Sequence, residues 1–535
     1  MSTDAGVDCR LVPVNHDDIR LSGDRSHKAS YIKAMENIES FVTGTINDNL
    51  WTVVPWLLIA AGLYFGIRTL LVQIRLVPDM FRSVMEKPGG KGKDQDDEYG
   101  GISAFQAFTI SAASRVGTGN VAGVAVAITL GGPGAVFWMW MIAIIGGATA
   151  FVESTLAQLW KTRDKDGNYH GGPAYYMTRG LNARWLAILF AIFISITYGF
   201  IYNAIQTNSI VEAVGQSLQR DSLGFKMIIG GVLALFTASI IFGGVRRIAH
   251  ATQIIVPFMA VAYIIVAVIV LSLRIQEVPG VIADIVGHAL GFKEVVGATV
   301  GAAFMNGMRR GLFSNEAGQG SAPNAAATAT VSHPVKQGLV QTLGVYFDTL
   351  VVCSITAFII LLGSQDMVYG ESIQGASLTQ AALSSEVGAW GTHFVTFILF
   401  FLAFSSILGN YYLAQANIEY LTKSTTWLNV FRVVVVGFVF FGAVGSLPLV
   451  WALGDTFAAS MVFINLIAII PLGGVAFKLL KNYGEQKRQG LDPVFNRDML
   501  PELKNVEVWD GSDPVTRRSE EDRRKLEGRS EWPIV

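Results

Sequence analysis

Arg115-Val116-Gly117-Thr118-Gly119-Asn120-Val121-Ala122-Gly123 stands in the middle of an apolar run reaching from about residue 103 to 130. Glycine is about 1 kcal/mol worse than alanine inside a helix. Here two glycines flank a hydroxyl, so the run predicts a helix that unwinds halfway along. A second stretch, Arg310-Gly311-Leu312-Phe313-Ser314-Asn315-Glu316-Ala317-Gly318, repeats Arg, Asn, Ala and Gly at the same offsets inside an apolar run from about 294 to 320.

Outward from these two stretches, runs near the ~20 residues that cross a bilayer recur along the chain. We count eleven, at about 50–72, 103–130, 134–160, 184–208, 226–245, 250–273, 294–320, 338–363, 393–421, 427–446 and 450–480. Of the 535 residues, 51% are hydrophobic and 15% charged, where a soluble domain carries about 25% charged. The expectation is an all-α integral membrane protein, and a string of soluble domains is excluded. The net charge of -1 offers no field to recruit nucleic acid, and Cys9 and Cys353 lie too far apart in character and position to found a disulfide framework.

The two glycine-interrupted segments lie five spans apart, an odd separation, so they run through the bilayer in opposite directions, as in an inverted-topology repeat. The predicted organisation is a polar tail (1–49), one extra first helix (50–72), a first half (103–273), a second half (294–480) and a polar tail (482–535). Lys and Arg set orientation by staying cytoplasmic. They gather in 73–102 (Arg75, Arg82, Lys87, Lys91, Lys93), in 161–183 and in alternate loops thereafter, whereas 364–392 has none but carries Asp366, Glu371 and Glu386. This predicts a multi-pass protein of the plasma membrane with its N-terminus outside and its C-terminal tail in the cytoplasm. No basic segment followed by an apolar core and a cleavage site opens the chain, so no signal peptide is expected. The mixed-charge run 517–529 reads as part of a solvated extension.

Unwound backbone at membrane depth is tolerated only beside a cavity or a bound ion. Freed amides can hold a carboxylate, while freed carbonyls and Asn or Thr oxygens can replace the water around a small hard cation. A zwitterion with a sodium ion would suit such a site. Glycine and alanine also let membrane helices pack closely, but packing does not ask for Arg, Asn and Glu in the same turns.

Gly131-Gly132-Pro133-Gly134-Ala135-Val136-Phe137-Trp138-Met139-Trp140 resembles the signature of the sodium:alanine symporter family. So do the stretch at 115–123, Glu153-Ser154-Thr155-Leu156-Ala157-Gln158, and Arg310 to Pro323. The resemblance covers about residues 50–480. It implies a leucine-transporter-like fold with one added first helix, and uptake of alanine or glycine driven by sodium. On this resemblance, Thr118 and Gly119 hold the substrate carboxylate through backbone amides, with Asn120 nearby. Gln206 contacts the polar end of the amino acid, and Phe304 and Gly307 shape its side-chain pocket. Ser405 and Ser406, with the carbonyls of Ala113 and Val116, form the sodium set, an oxygen-only donor group right for a hard cation. Adjacent serines can equally bond back to their own helix. No cofactor is implied beyond sodium as the coupling ion.

Glu153, Asp348 and Asp455 fall within predicted spans, where acidic groups hint at function. Glu153 is either functional or an anchor at the span's end. Asp348 and Asp455 either pair with Arg115, Arg309 or Arg310 or relay protons. An intramembrane aspartyl protease is a competing class, but Tyr346-Phe347-Asp348 and Ala452-Leu453-Gly454-Asp455 both miss its motifs. A channel is a third, and would dissipate a solute gradient instead of building one. Alanine against glycine, sodium against proton coupling, and oligomeric state stay open at this level.

Overall fold

The computed structural model describes residues 46–86, 102–293 except 166, 299–363, 375–518 except 446, and residue 522. Residues 1–45 of the N-terminal tail, Lys87, Lys91, Lys93, Asp366, Glu371 and nearly all of the 517–529 run therefore lie outside the described residues.

The architecture is helical throughout, save one short hairpin of β1 (Thr162–Arg163) against β2 (Tyr169–His170). In chain order the helices are α1 (Asp48–Arg68), α2 (Val77–Val84), α3 (Ala104–Arg115), α4 (Gly119–Gly131), α5 (Gly134–Leu159), α6 (Arg184–Leu218), α7 (Leu223–Ile241) and α8 (Val245–Leu273). There follow α9 (Val278–Ala289), α10 (Val300–Asn315), α11 (Ala322–Ala327), α12 (Pro334–Gly363), α13 (Ala376–Val387), α14 (Trp390–Leu421), α15 (Thr425–Val444) and α16 (Leu447–Arg488). Among the described residues nine helices are long and apolar enough to cross a membrane. Of the other two expected spans, 103–130 is divided into α3 and α4, while 294–320 holds α10 and the break after it, with α11 starting just beyond its expected end. Between expected spans the chain adds α2, α9, α13 and a short helix at Pro173–Arg179, all too short to announce themselves by hydropathy.

Packing follows from where side chains are small. Gly307 and Gly311 let α10 lie on Ala135, Met139 and Ile142 of α5; Gly338 brings α12 onto Phe151; Gly409 brings α14 onto Ser114 of α3. With the helices in contact, the polar residues of α3, α4, α10 and α12 are buried at the centre. Leu235 on α7, Phe258 on α8 and Val433 on α15 are exposed at the periphery, the distribution of a bundle whose surroundings are apolar.

The last helix is longer than its apolar run. At 42 residues it measures about 63 Å at ~1.5 Å per residue, roughly twice a bilayer core. The expectation of a solvated extension after it does not hold for 489–518. Phe495 and Trp509 are buried. Phe495 N–H donates to Ser332 O (2.8 Å), Trp509 Nε1–H to Gln158 O (3.1 Å), and Trp160 Nε1–H to Lys504 O (3.1 Å). Tyr169 donates to the Asp513 carboxylate. This strap lies across the end of the bundle where α5 finishes and α12 begins. Its few aromatic residues, spaced among polar ones, supply what docks it.

Candidate functional site

The first interruption is built by local hydrogen bonding. α3 ends at Arg115, Val116 is extended (φ -82°, ψ 91°), and the Gly117 N–H donates to Asn120 Oδ1 (2.8 Å) in place of a helical carbonyl. The Thr118 N–H donates to Gln206 Oε1 (2.9 Å) of α6. The Thr118 hydroxyl is fully buried and has no hydrogen-bond partner, an orphan of the kind a ligand satisfies. Ser406 Oγ of α14 lies 2.8 Å from the freed carbonyl of Ala113, 3.3 Å from that of Val116 and 3.1 Å from Leu402 O of its own helix, three acceptors for its one proton. A Cβ at Gly117 would run into Ser406 Oγ and stand 2.8 Å from Gln206 Oε1. Glycine is what lets α6 and α14 close on the break.

The second interruption is filled differently. Glu316 (φ +57°), Gly318 (φ +83°) and Gly320 (φ +78°) turn the chain between α10 and α11. The Glu153 carboxylate of α5 accepts the N–H of Gly318 and of Gly320, each at 3.2 Å, and the side-chain amide of Asn465 at 2.8 Å. Glu153 is thus neither at a span boundary nor free: it caps the break from inside the bundle. Glu316 accepts from Ser114 Oγ (2.8 Å) and Ser321 Oγ (2.6 Å), tying the two interruptions together.

Of the residues expected at the site, Ala113, Val116, Thr118, Gly119, Asn120, Gln206 and Ser406 come together. Three do not. Ser405 donates to Leu402 O at 2.8 Å, because one residue along a helix turns a side chain by about 100°. Phe304 stacks on Trp56 (5.2 Å) and meets Trp138 edge-on (4.9 Å), and Gly307 is the close approach of α10 to Ala135. The ring at the break is Phe313, against which a Cβ on Gly119 would stand 3.0 Å away. Phe304 lies nine residues earlier on the same helix, about 13 Å along its axis. Phe313 contacts Tyr202 (4.9 Å) and Trp451 (5.0 Å), an aromatic cluster beside the break. Phe313 sits inside the second sequence stretch itself, two residues before its Asn, so a signal for it was present.

Asn120 is committed to structure: Oδ1 takes Gly117 N–H, and Nδ2 donates to Asp348 Oδ1 (2.7 Å) and reaches Cys353 Sγ (3.2 Å). Asp348 makes no ion pair with Arg115, Arg309 or Arg310. It accepts from Asn120, from Ser314 Oγ (2.7 Å) and from Thr349 Oγ1 (2.8 Å). Asp455 does pair, with Arg310, whose guanidinium lies 4.8 Å over the Trp451 ring. Arg309 pairs with Asp48 (3.3 Å).

The model of the sodium:alanine symporter family matches residues 35–497. The amino-acid carrier protein AlsT of Bacillus subtilis (strain 168) is 50% identical over 476 residues, 88% of this chain and 99% of that protein. The probable sodium/glutamine symporter GlnT of the same organism is 47% identical over 483 residues, 90% of this chain and 98% of that protein. Among solved structures, MhsT in complex with L-phenylalanine matches with a TM-score of 0.50 at 13% identity, over 72% of this chain and 91% of that one, a likeness of fold.

Proposed function

Since this chain belongs to the sodium:alanine symporter family, we propose that it imports a small neutral amino acid, alanine or glycine, together with sodium, by alternating access across the plasma membrane. It is a multi-pass membrane transporter and not an enzyme. The observation that carries the reading is the Ser406 hydroxyl resting on the Ala113 and Val116 carbonyls. Two main-chain oxygens released from helical bonding and one hydroxyl converge on one point, and sodium there takes oxygen ligands. When the ion enters, the Ser406 proton swings to Leu402 O and the oxygen turns its lone pairs inward.

The substrate carboxylate takes the amides of Thr118 and Gly119. The Gln206 carboxamide oxygen now on Thr118 N–H stands in for a carboxylate oxygen. Binding displaces it and frees the Gln206 NH2 to donate to the same carboxylate. The Phe313, Tyr202 and Trp451 rings, close against Gly119, would limit the substrate to a small side chain. The Arg310–Asp455 pair beside Trp451 closes the outer route. On this reading α3/α4 and α10/α11 count as crossings, giving eleven arranged as a 5+5 inverted repeat behind α1, with the N-terminus outside and the strap in the cytoplasm.

The energetics suffice. One cation moving through about 100 mV gains roughly 2.3 kcal/mol, and a tenfold sodium gradient adds about 1.4 kcal/mol, enough for several-hundred-fold accumulation. Purified protein in liposomes is expected to concentrate labelled alanine or glycine only under an inward sodium gradient. Equal uptake in potassium defeats the coupling. The likeness to GlnT favours a second reading, glutamine as substrate, and competition by unlabelled glutamine stronger than by alanine would establish it over the first.

A further inference from the structure

We propose that Thr356 is a positioning residue for the substrate: its hydroxyl holds the first turn of α4 open and so aims the Gly119 amide at the carboxylate of the amino acid. The inference rests on the first interruption being the transport site.

The first turn of α4, Gly119–Gly123, is a π turn. Val124 N–H, which in an α-helix bonds the carbonyl four residues back, that of Asn120, reaches past it to Gly119 O. A single wide turn of this kind takes the helical donor away from one carbonyl, and a buried carbonyl needs another. The Thr356 hydroxyl of α12 supplies it, donating to Asn120 O at 2.6 Å. A threonine inside a helix commonly turns back to its own helix. Here that acceptor, Val352 O, lies farther off at 3.5 Å, so the proton goes across to α4. Tyr263 of α8 stands behind, its hydroxyl 2.6 Å from Thr356 Oγ1. With the Thr356 proton given to Asn120 O, Tyr263 is the donor in that second bond, and a buried relay of hydroxyls runs from Tyr263 through Thr356 to Asn120.

α12 receives a bond in return. Its stretch Phe347–Cys353 is also a π turn and lies against the first. Asn120 Nδ2 reaches Asp348 O at 3.2 Å as well as Asp348 Oδ1 at 2.7 Å. So α12 gives a hydroxyl to the wide turn of α4, and α4 gives an amide to the wide turn of α12. Asn120 is gripped by its carbonyl and its side chain at once, and the same side chain takes Gly117 N–H at 2.8 Å. Its placement therefore sets the whole of Gly117–Gly119 ahead of it.

The consequence for the substrate is rotational. Without a donor from Thr356, Val124 N–H returns to Asn120 O and the wide turn closes to an α turn. Losing one residue from a turn swings what precedes it by about 100° relative to the rest of the helix. Gly119 N–H then leaves the place that Gln206 Oε1 marks beside Thr118. The Ala113 and Val116 carbonyls belong to the end of α3, across the break, and stay where they are. Alanine affinity and sodium affinity separate. The next carbonyl makes a built-in comparison: Val121 O takes Thr379 Oγ1 of α13 at 3.2 Å but also has Val124 N–H, so losing the Thr379 hydroxyl leaves it bonded.

The test measures equilibrium binding of labelled alanine in sodium, and of sodium without alanine, to full-length protein in detergent. Thr356→Val keeps the shape and removes the donor. Alanine binding is expected to weaken about tenfold or more, with sodium binding within about twofold of the wild type. The preference for alanine over alaninamide, which has no carboxylate, should shrink in step. Thr356→Ser should restore all three, and Thr379→Val should weaken alanine binding less than about threefold. Unchanged alanine binding in Thr356→Val overturns the proposal. So does an equal loss of sodium binding, or a Thr356→Ser no better than Thr356→Val. If Thr356→Val does not accumulate in the membrane, Tyr263→Phe decides, since it frees the Thr356 proton to turn to Val352 O. Alanine binding weakened about threefold with sodium binding kept supports the proposal, and no change overturns it. A wild type that binds no alanine, or binds alaninamide as tightly, is a separate outcome and strikes at the transport reading and its carboxylate site instead.

Discussion

Ser406→Ala offers the sharpest test of the sodium site. Its hydroxyl lies 2.8 Å from Ala113 O and 3.3 Å from Val116 O, so it matters to the ion-free and the ion-loaded states by different amounts. Without the ion it makes an ordinary hydrogen bond, worth ~1 kcal/mol net; against a charged partner the same oxygen is worth ~1.5–3 kcal/mol. The difference, about 1.25 kcal/mol at its centre, raises the half-saturating sodium concentration about eightfold. Ser405→Ala removes a bond to Leu402 O within one helix and should shift the same quantity less than about threefold, since nothing else depends on it. The assay is sodium titration of labelled alanine uptake in liposomes, supported by direct sodium binding to protein in detergent. If Ser406→Ala leaves half-saturation where it was, or Ser405→Ala matches it, the oxygen set drawn around Ala113 and Val116 is wrong.

Gly117→Ala places a methyl where Ser406 Oγ lies and 2.8 Å from Gln206 Oε1; overpacking of ~1–3 kcal/mol is expected to cut uptake at least tenfold with normal membrane levels, and near-normal uptake would show the contact to be slack. Glu153→Gln sets an NH2 against N–H donors of Gly318, Gly320 or Asn465, a loss of ~1–3 kcal/mol that should lower the melting temperature in detergent by a few degrees; an unchanged melting temperature refutes the capping role. His333, just ahead of α12, is pushed down to about 3 by burial, its ring against Tyr483 and Phe495 and its Nδ1 accepting Val335 N–H. The unfolded group titrates near 6.5, so its contribution is complete above that value and is lost as pH falls, by about 1.4 kcal/mol per unit. Proteolysis within 489–518 should accelerate about tenfold from pH 7.5 to 5.5, and His333→Gln should flatten that dependence.

The crossings were legible because hydropathy is a property of composition along a segment, and the first interruption was legible because Gly117 and Gly119 penalise helix locally. Thr118 and Asn120 stand inside that interrupted stretch, while their roles and that of Ser406 come through the resemblance to the family. What sequence could not supply was rotation and axial shift. Ser405 and Ser406 differ only in which way they face on α14, and Phe304 and Phe313 only in how far α10 slides past α4, both set by contacts with other helices. Asp348 was visible as a membrane acid, yet its uncharged partners come from α4 and α10. The strap was illegible for a plainer reason: a polar stretch holding Phe495 and Trp509 reads the same whether its aromatics dock or dangle.

That strap bears on how the protein is made. Residues 489–518 leave the ribosome after α16, and their anchors at Gln158, Trp160 and Ser332 belong to segments made long before. A newly inserted copy therefore passes through a stage in which all its crossings are complete and the end of the bundle under the strap is still unbuttoned. A premature stop codon just past Arg488 would freeze it there, with a full set of membrane helices and no clasp.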